Sequence, residues 1–206
     1  ILTGMMLATG GRVSIGGADI TNLWPDQLRE KRIGIIPEDR YKHGLCRDMS
    51  LADNCAAGYL NDKEICTCGV LKRRELQERC RRYVEKYDIR IADEFGNVSQ
   101  LSGGNAQKII VAREFESQPC LIIACQPTRG VDVGSIEYIH QSLLDFRNAG
   151  HSVLLISSEL SEIMSLSDRV GVMYKGNIVG EVDPKTTSTA DIGLLMAGTI
   201  PEGVTR

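Results

Sequence analysis

Apolar positions along the chain form two kinds of pattern, short continuous runs and longer stretches with helical spacing. Ile33 to Ile36 is a short run stopped by Pro37, and Leu121–Ala124 and Val153–Ile156 are two more. Continuous runs of this length predict strands buried on both faces. Elsewhere the period is that of a helix. Leu76, Cys80, Tyr83, Val84 and Tyr87 stand at i, i+4, i+7, i+8 and i+11, one face of a long helix. Ile136, Ile139, Leu143 and Phe146 line a second, ended by Asn148-Ala149-Gly150. Ser102 is placed to cap a third that runs to about Ser117, and Glu159–Leu166 and Ala190–Ala197 predict two short ones. Residues 10–20 read as a strand between glycine turns. Val170–Tyr174 and Ile178–Val182 read as a hairpin about Lys175-Gly176-Asn177. Residues 49–70 have no clear period. From residue 98 onward strand and helix alternate, which implies a mainly parallel sheet covered by helices.

Composition narrows the class. A chain of 206 residues with 42% apolar and 25% charged content fits one globular domain with a sizeable core. No apolar run approaches the ~18 residues that span a bilayer, and no charged-then-apolar leader opens the sequence. With 24 basic against 27 acidic residues, the net charge of −3 gives no global reason to bind nucleic acid. Seven irregularly spaced cysteines without a leader read as reduced thiols of a cytosol. Cys120 and Cys125, in or beside an apolar run, read as small core residues. His43, Cys46, Cys66 and Cys68 offer four metal ligands, but Cys-x-Cys is not the usual spacing of structural zinc, so unligated thiols are favoured. Trp24, next to Pro25, reads as a partly buried anchor. Leu71–Arg82 carries six Lys/Arg against two Glu. It is a candidate contact for a membrane partner or anionic lipid. The favoured reading is a solvated face laced by Glu75–Arg79 and Glu78–Arg82 pairs.

The candidate chemistry lies later. Leu101-Ser102-Gly103-Gly104-Asn105 opens the helix before the 121–124 run. Two glycines let the backbone approach an anion closely. A helix N-terminus favours phosphate through its free amides and dipole, and Ser102 adds a hydroxyl. A plain capping turn uses similar residues, so the motif alone leaves both readings open. It does not stand alone. Gln126-Pro127-Thr128-Arg129-Gly130-Val131-Asp132 follows the buried run, Ser157-Ser158-Glu159-Leu160 follows the next, and Ile36-Pro37-Glu38-Asp39-Arg40 lies upstream. This ordered set resembles the nucleotide-binding subunit of ABC transporters. The nearer resemblance is to the second ATPase half of tandem subunits serving simple-sugar and nucleoside importers. It covers essentially the whole chain, including the tail Gly193-Leu194-Leu195-Met196-Ala197-Gly198.

The resemblance implies a P-loop NTPase-like α/β fold. Residues 1–48 and 101–206 would form the mainly parallel core, and 49–100 an inserted helical subdomain facing the permease. It implies an ATP-binding component that couples ATP hydrolysis to uptake, peripheral to the cytoplasmic side of the cell membrane. ATP and Mg2+ would be its cofactors. Its partners would be the first ATPase half of the same subunit and membrane permease subunits, with an extracytoplasmic solute-binding protein acting indirectly and no nucleic acid. In such assemblies each ATP lies between one half's phosphate loop and the other half's signature. Ser102, Gly103, Gly104 and Asn105 would therefore cap ATP held by the partner half, and Gly130 and Asp132 would couple the two sites.

Several departures from the family pattern fall on this chain's own site. The phosphate loop Gly-x-x-x-x-Gly-Lys-Ser/Thr is absent, and the dipeptide Gly-Lys occurs nowhere. The chain would thus begin after that loop, without independent tight ATP binding. Where the family ends the buried strand with a magnesium-holding Asp and a water-activating Glu, this chain has Cys125 and Gln126. A thiol suits magnesium poorly and a neutral amide is no carboxylate base. The family's switch His aligns with Ser158. Glu38 occupies the loop that usually offers Gln near the γ-phosphate. No catalytic residue is then intact, no metal site is expected, and the isolated chain would be inactive. The alternatives are a non-transport ABC ATPase and a purely non-catalytic partner module.

Overall fold

The computed structural model describes residues 1–91 and 96–199, which divide into two compact units, Ile1–Leu154 and the residues from Leu155 on. The first unit opens with a hairpin, β1 (Ser14–Ile15) antiparallel to β2 (Ala18–Asp19), instead of the single strand read over residues 10–20. The turn is Gly16-Gly17, both in the left-handed region at φ 56° and 82°. Two such residues reverse a chain in the sense that matches strand twist. Helix α1 (Pro25–Glu30) follows, with Pro25 in its first turn. Trp24 stands at its N-cap and is 62% exposed, so it is not the partly buried anchor expected. Its amide donates to Gln27 Oε1 at 2.9 Å, a local bond that holds the backbone and leaves the ring outside.

Strand β3 (Ile33–Ile36) is buried throughout. After it, residues 49–70 resolve into short pieces that carry no long period. These are α2 (Leu51–Ala56), capped by Ser50, and the hairpin β4 (Cys66–Thr67) with β5 (Val70–Leu71). Helix α3 (Arg73–Lys86) buries Leu76, Cys80 and Tyr83, and Tyr87 just past its end, as the spacing predicts. The charge pairing differs from expectation. Arg79 is buried and reaches Asp62 and Glu64, Arg82 reaches Glu64, and Glu78 pairs with Arg74 at 3.2 Å. A buried guanidinium requires close anionic partners, and the chain before β4 supplies them where α3's own glutamates were expected to. The Arg79 hydrogen bond holds the Glu64 carboxyl below the usual carboxylate range. Arg73 with Asp53 (2.9 Å) and Lys86 with Glu116 (2.6 Å) continue the pattern, so much of the basic face is already paired within the chain.

Helix α4 (Gly103–Glu116) is the central element of this unit and is buried from Ala106 to Glu114. Strand β6 (Leu121–Cys125) pairs in parallel with β3, Ile33 opposite Leu121 through Ile36 opposite Ala124. Glu114 is fully buried and ties several elements together. Its Oε2 accepts from the Ile35 amide (3.1 Å) and the Tyr59 hydroxyl (2.7 Å), and its Oε1 from Arg113 Nε (3.0 Å), with Arg29 Nη2 at 3.7 Å. It thereby satisfies a backbone donor on the outer edge of β3, which would otherwise be orphaned. Burial, and then the Glu114 charge, keep the Tyr59 phenol protonated far above its ordinary range. Helix α5 (Val133–Asn148) buries Ile139, Leu143 and Phe146, with Phe146 edge-on to Phe115 at 5.1 Å.

Strand β7 (Ser152–Ile156) ends the order β3-β6-β7. It is not the doubly buried strand expected, since Leu154 is 38% and Ile156 44% exposed. As the last strand in that order it has one neighbour, and its exposure alternates residue by residue as in a strand covered on one face. The second unit comprises α6 (Leu160–Leu166), the hairpin β8 (Val170–Tyr174) with β9 (Asn177–Val182), and α7 (Thr189–Met196). Its core is Val170, Val172, Val182, Ile192 and Leu195. Lys175 and Gly176 make the hairpin turn with φ of 45° and 81°. Among the described residues no helix is long and apolar enough to cross a membrane.

Removing the Glu114 carboxylate would leave Arg113 buried without its charge partner. Glu114→Ala should therefore lower unfolding stability by about 3–5 kcal/mol, read from urea titration. Glu78→Ala, which breaks only an exposed i,i+4 pair, should change it by less than about 0.5 kcal/mol.

Candidate functional site

The start of α4 is fixed by its own side chains. Ser102 caps the helix with extended backbone, and its Oγ accepts from Asn105 Nδ2 at 3.0 Å and from the Asn105 amide at 3.4 Å. Asn105 Oδ1 in turn accepts from the Arg90 amide at 2.8 Å, fastening the incoming chain to the helix. The amides of Gly103 and Gly104 lie in the first turn, where a helix offers them no acceptor of its own. Ser102 is exposed and Gly104 buried.

The two glycines also have a packing reason, which no local pattern records. A side chain at Gly104 would overlap Ser135 Oγ and Asp132 Oδ2. A Cβ on Gly103 would stand 2.9 Å from the Gly130 carbonyl oxygen and 3.3 Å from Arg40 Nη2. The N-terminus of α4 is thus pressed against the loop after β6 and the first turn of α5. Asp132 caps α5, accepting from the Ser135 amide (3.0 Å) and hydroxyl (2.9 Å), and the amide bond comes first in holding its carboxyl below the usual range.

Arg40 joins the same junction from the segment after β3. Its Nη1 donates to the Arg129 carbonyl and its Nη2 to the Gly130 carbonyl, each at 2.8 Å, and Nη1 lies 3.5 Å from Gln107 Oε1. Glu38, two residues earlier, is ion-paired with Arg129. Asp39 caps the π-helical turn Arg40–Gly44 by accepting from the Tyr41 and Lys42 amides. So Glu38, Ser102–Asn105, Gly130 and Asp132 do converge. Arg40, in the sequence no more than one letter of the Pro37–Arg40 motif, is the side chain that connects them. Its partners lie 89 and 90 residues away, beyond the reach of any local pattern.

The end of β6 is chemically different. Cys125 is half-buried, and burial followed by the Glu38 charge pushes its thiol up, so it stays neutral at physiological pH. Gln126 holds left-handed backbone at φ 48°, and its carbonyl accepts from the Arg129 amide at 3.1 Å. Magnesium prefers anionic oxygen ligands. The end of β6 offers a neutral thiol and a neutral amide, and the nearby Glu38 carboxylate is taken by Arg129. This donor set does not fit the ion. Ser158 lies in the second unit and is exposed.

Cys120 and Cys125 flank the apolar run at its two ends and are half-buried, Cys125 packed against the core of Ile33, Ile35 and Ile123. Cys120 Sγ lies 3.3 Å from the Arg32 carbonyl. The fully buried thiols are Cys55 and Cys80, on facing helices α2 and α3. His43 sits in the π-helical turn, Cys46 is exposed and Cys66 and Cys68 belong to the β4–β5 hairpin. Among the described residues no three His, Cys, Asp or Glu side chains gather as metal ligands would.

Gly104→Ala must displace the Asp132 and Ser135 side chains that cap α5 and should cost about 1–3 kcal/mol of unfolding stability. Adding Ser135→Ala removes one of the two overlapping atoms and should recover part of that loss. A thermal or denaturant cycle over the four proteins would show the coupling.

A sequence profile described as "ABC transporter" matches residues 1–129. Among curated relatives, the guanosine import ATP-binding protein NupO of Bacillus subtilis is 44% identical over 96% of this chain and 39% of its own length. The nucleoside import ATP-binding protein NupA of Lactococcus lactis is 42% identical over 96% of this chain and 39% of its own. The glucose import ATP-binding protein TsgD13 of Haloferax volcanii is 37% identical over 96% and 36%. The chain thus spans about two fifths of the length of these relatives. Among solved structures, a dimeric ATP-binding cassette in a post-hydrolysis state with ADP and Pi superposes with a TM-score of 0.72 at 20% identity. That match covers 88% of this chain and 77% of the other. A nucleotide-free cassette from an ABC transporter gives 0.68 at 23% identity, over 88% and 72%. Matched by that profile across more than half its length, the chain belongs to the ABC transporter family, and its parallel-sheet core has the fold of that family's ATP-binding cassettes.

Proposed function

We propose that the chain is part of the ATP-binding component of an importer for nucleosides or simple sugars, peripheral to the cytoplasmic side of the membrane. Within it, the chain is the second half of a tandem subunit and supplies its signature to ATP held by the first half. The names of its relatives support the importer class. The observation that carries the division of labour is the contrast between two neighbouring surfaces. At the start of α4, Ser102 and the Gly103 and Gly104 amides offer donors of the kind that suit phosphate oxygens. Asn105 holds Ser102 in place. At the end of β6 the donor set suits neither magnesium nor water activation.

ATP and Mg2+ are thus held mainly by residues of the partner half, and bound ATP supplies the phosphoanhydride whose cleavage drives transport. This chain's part is to place donors on the phosphate side and exclude water around them. Gly130 and Asp132, packed on the same helix start, link this site to the degenerate one. The core is residues 1–48 and 101–206, and the helical insertion at 49–100 faces the permease. The internal ion pairs of α3 favour a solvated basic face over a lipid contact. A solute-binding protein outside the membrane joins only through the permease. The net charge of −3 weighs against a nucleic-acid-directed ABC ATPase.

Two measurements test this. The isolated chain should show neither saturable micromolar ATP binding nor turnover. In the complete tandem protein, Ser102→Arg should lower ATP turnover at least tenfold, because a bulky cation replaces the small hydroxyl beside the helix amides. Steady turnover by the isolated chain would refute the degenerate site. Unchanged turnover of the Ser102→Arg protein would refute the trans signature.

A further inference from the structure

We propose that Arg40 is a positioning residue for the shared nucleotide site, locking the 129–132 loop to the start of α4 so that the signature donors and Asp132 meet the partner as one rigid surface. This rests on the reading that α4 faces ATP held by the partner half.

The geometry is specific to a guanidinium. Two successive carbonyls, of Arg129 and Gly130, each lie 2.8 Å from a different terminal nitrogen of Arg40. A planar fork can serve both at once, and an ammonium on a flexible stem cannot hold both in the same fixed geometry. Gly130 takes left-handed backbone at φ 65° in this loop, a conformation open to glycine at little cost. Arg129 and Gly130 are exposed, so water could satisfy their carbonyls. The bonds are therefore not required to rescue buried polar groups, and what they add is placement.

Placement matters here because the same guanidinium borders Gly103. A Cβ on Gly103 would meet the Gly130 oxygen and Arg40 Nη2 together. Arg40 is itself held from behind. Asp39 caps the turn it opens, and its guanidinium carbon lies 5.6 Å from the Tyr41 ring centre. The Glu38–Arg129 ion pair closes a second bridge between the same two segments. Motion of the segment after β3 must accordingly move the loop that carries Asp132.

The test uses the complete tandem protein with Arg40→Ala, Arg40→Lys and Ser102→Arg, measuring kcat and KM for ATP together with thermal unfolding. Arg40→Ala should lower kcat at least fivefold with KM changed less than twofold, since the partner's residues hold most of the nucleotide. Arg40→Lys should fall between it and wild type, and unfolding temperatures should stay close to wild type. Wild-type kcat in folded Arg40→Ala, or a change in KM alone, overturns the proposal. If Ser102→Arg abolishes turnover in that case, only the role of Arg40 fails. If neither variant changes turnover, the trans signature itself fails. Should Arg40→Ala not fold, Arg40→Lys decides: a lowered kcat at constant KM supports the proposal, and wild-type kcat overturns it.

Discussion

Everything in the candidate site depends on how closely the first turn of α4 approaches the loop after β6. Gly103 and Gly104 have no side chains, and the space a Cβ would need is filled by the Gly130 carbonyl and Arg40 at one position and by Asp132 and Ser135 at the other. That contact makes the caps of two helices, Ser102 on α4 and Asp132 on α5, parts of one structure. Behind it, the long buried stretch of α4 runs back to Glu114, which ties the helix to the edge of β3 and to Tyr59 beyond α2. A displacement at one end of α4 is therefore resisted at the other by packing and by a buried charge network that tolerates little rearrangement.

Two neighbouring surfaces on this frame differ in chemistry. The α4 start has amides without helical acceptors and a hydroxyl held by Asn105, a neutral donor set for an anion. The end of β6 has a thiol kept neutral by burial and by Glu38, followed by the neutral amide of Gln126. The carboxylate that remains nearby is paired with Arg129. The charges in this region are thus spent on joining the segment after β3 to the loop after β6.

Periodicity was sufficient for elements whose burial is set locally. The runs at Ile33 and Leu121 are covered strands, and Leu76, Cys80 and Tyr83 do face inward. Lys175-Gly176 turns the hairpin because two left-handed residues in sequence do so in any context. Gly16-Gly17 makes a turn of the same kind, and residues 10–20 therefore form two short paired strands instead of one. What the sequence could not carry is pairing at a distance. Arg79 chose Asp62 and Glu64 over glutamates on its own helix, and β7 has the pattern of a buried strand but a half-covered position. The glycines of the signature also serve the helix–loop contact, a packing cause that no local pattern records. Arg40 was visible only as a motif letter, because its acceptors are backbone carbonyls that no side-chain pattern records.

The central claim is that this chain's signature, and not its own strand end, lies against hydrolysable ATP. Photocleavage after vanadate trapping tests this directly, because orthovanadate held in place of the γ-phosphate oxidises and cuts the backbone it touches when irradiated. In the complete tandem protein, trapped with ATP and vanadate, this half should be cut within residues 102–104. A cut confined to the Cys125–Gln126 segment, or none in this half while the partner's phosphate loop is cut, would contradict the account.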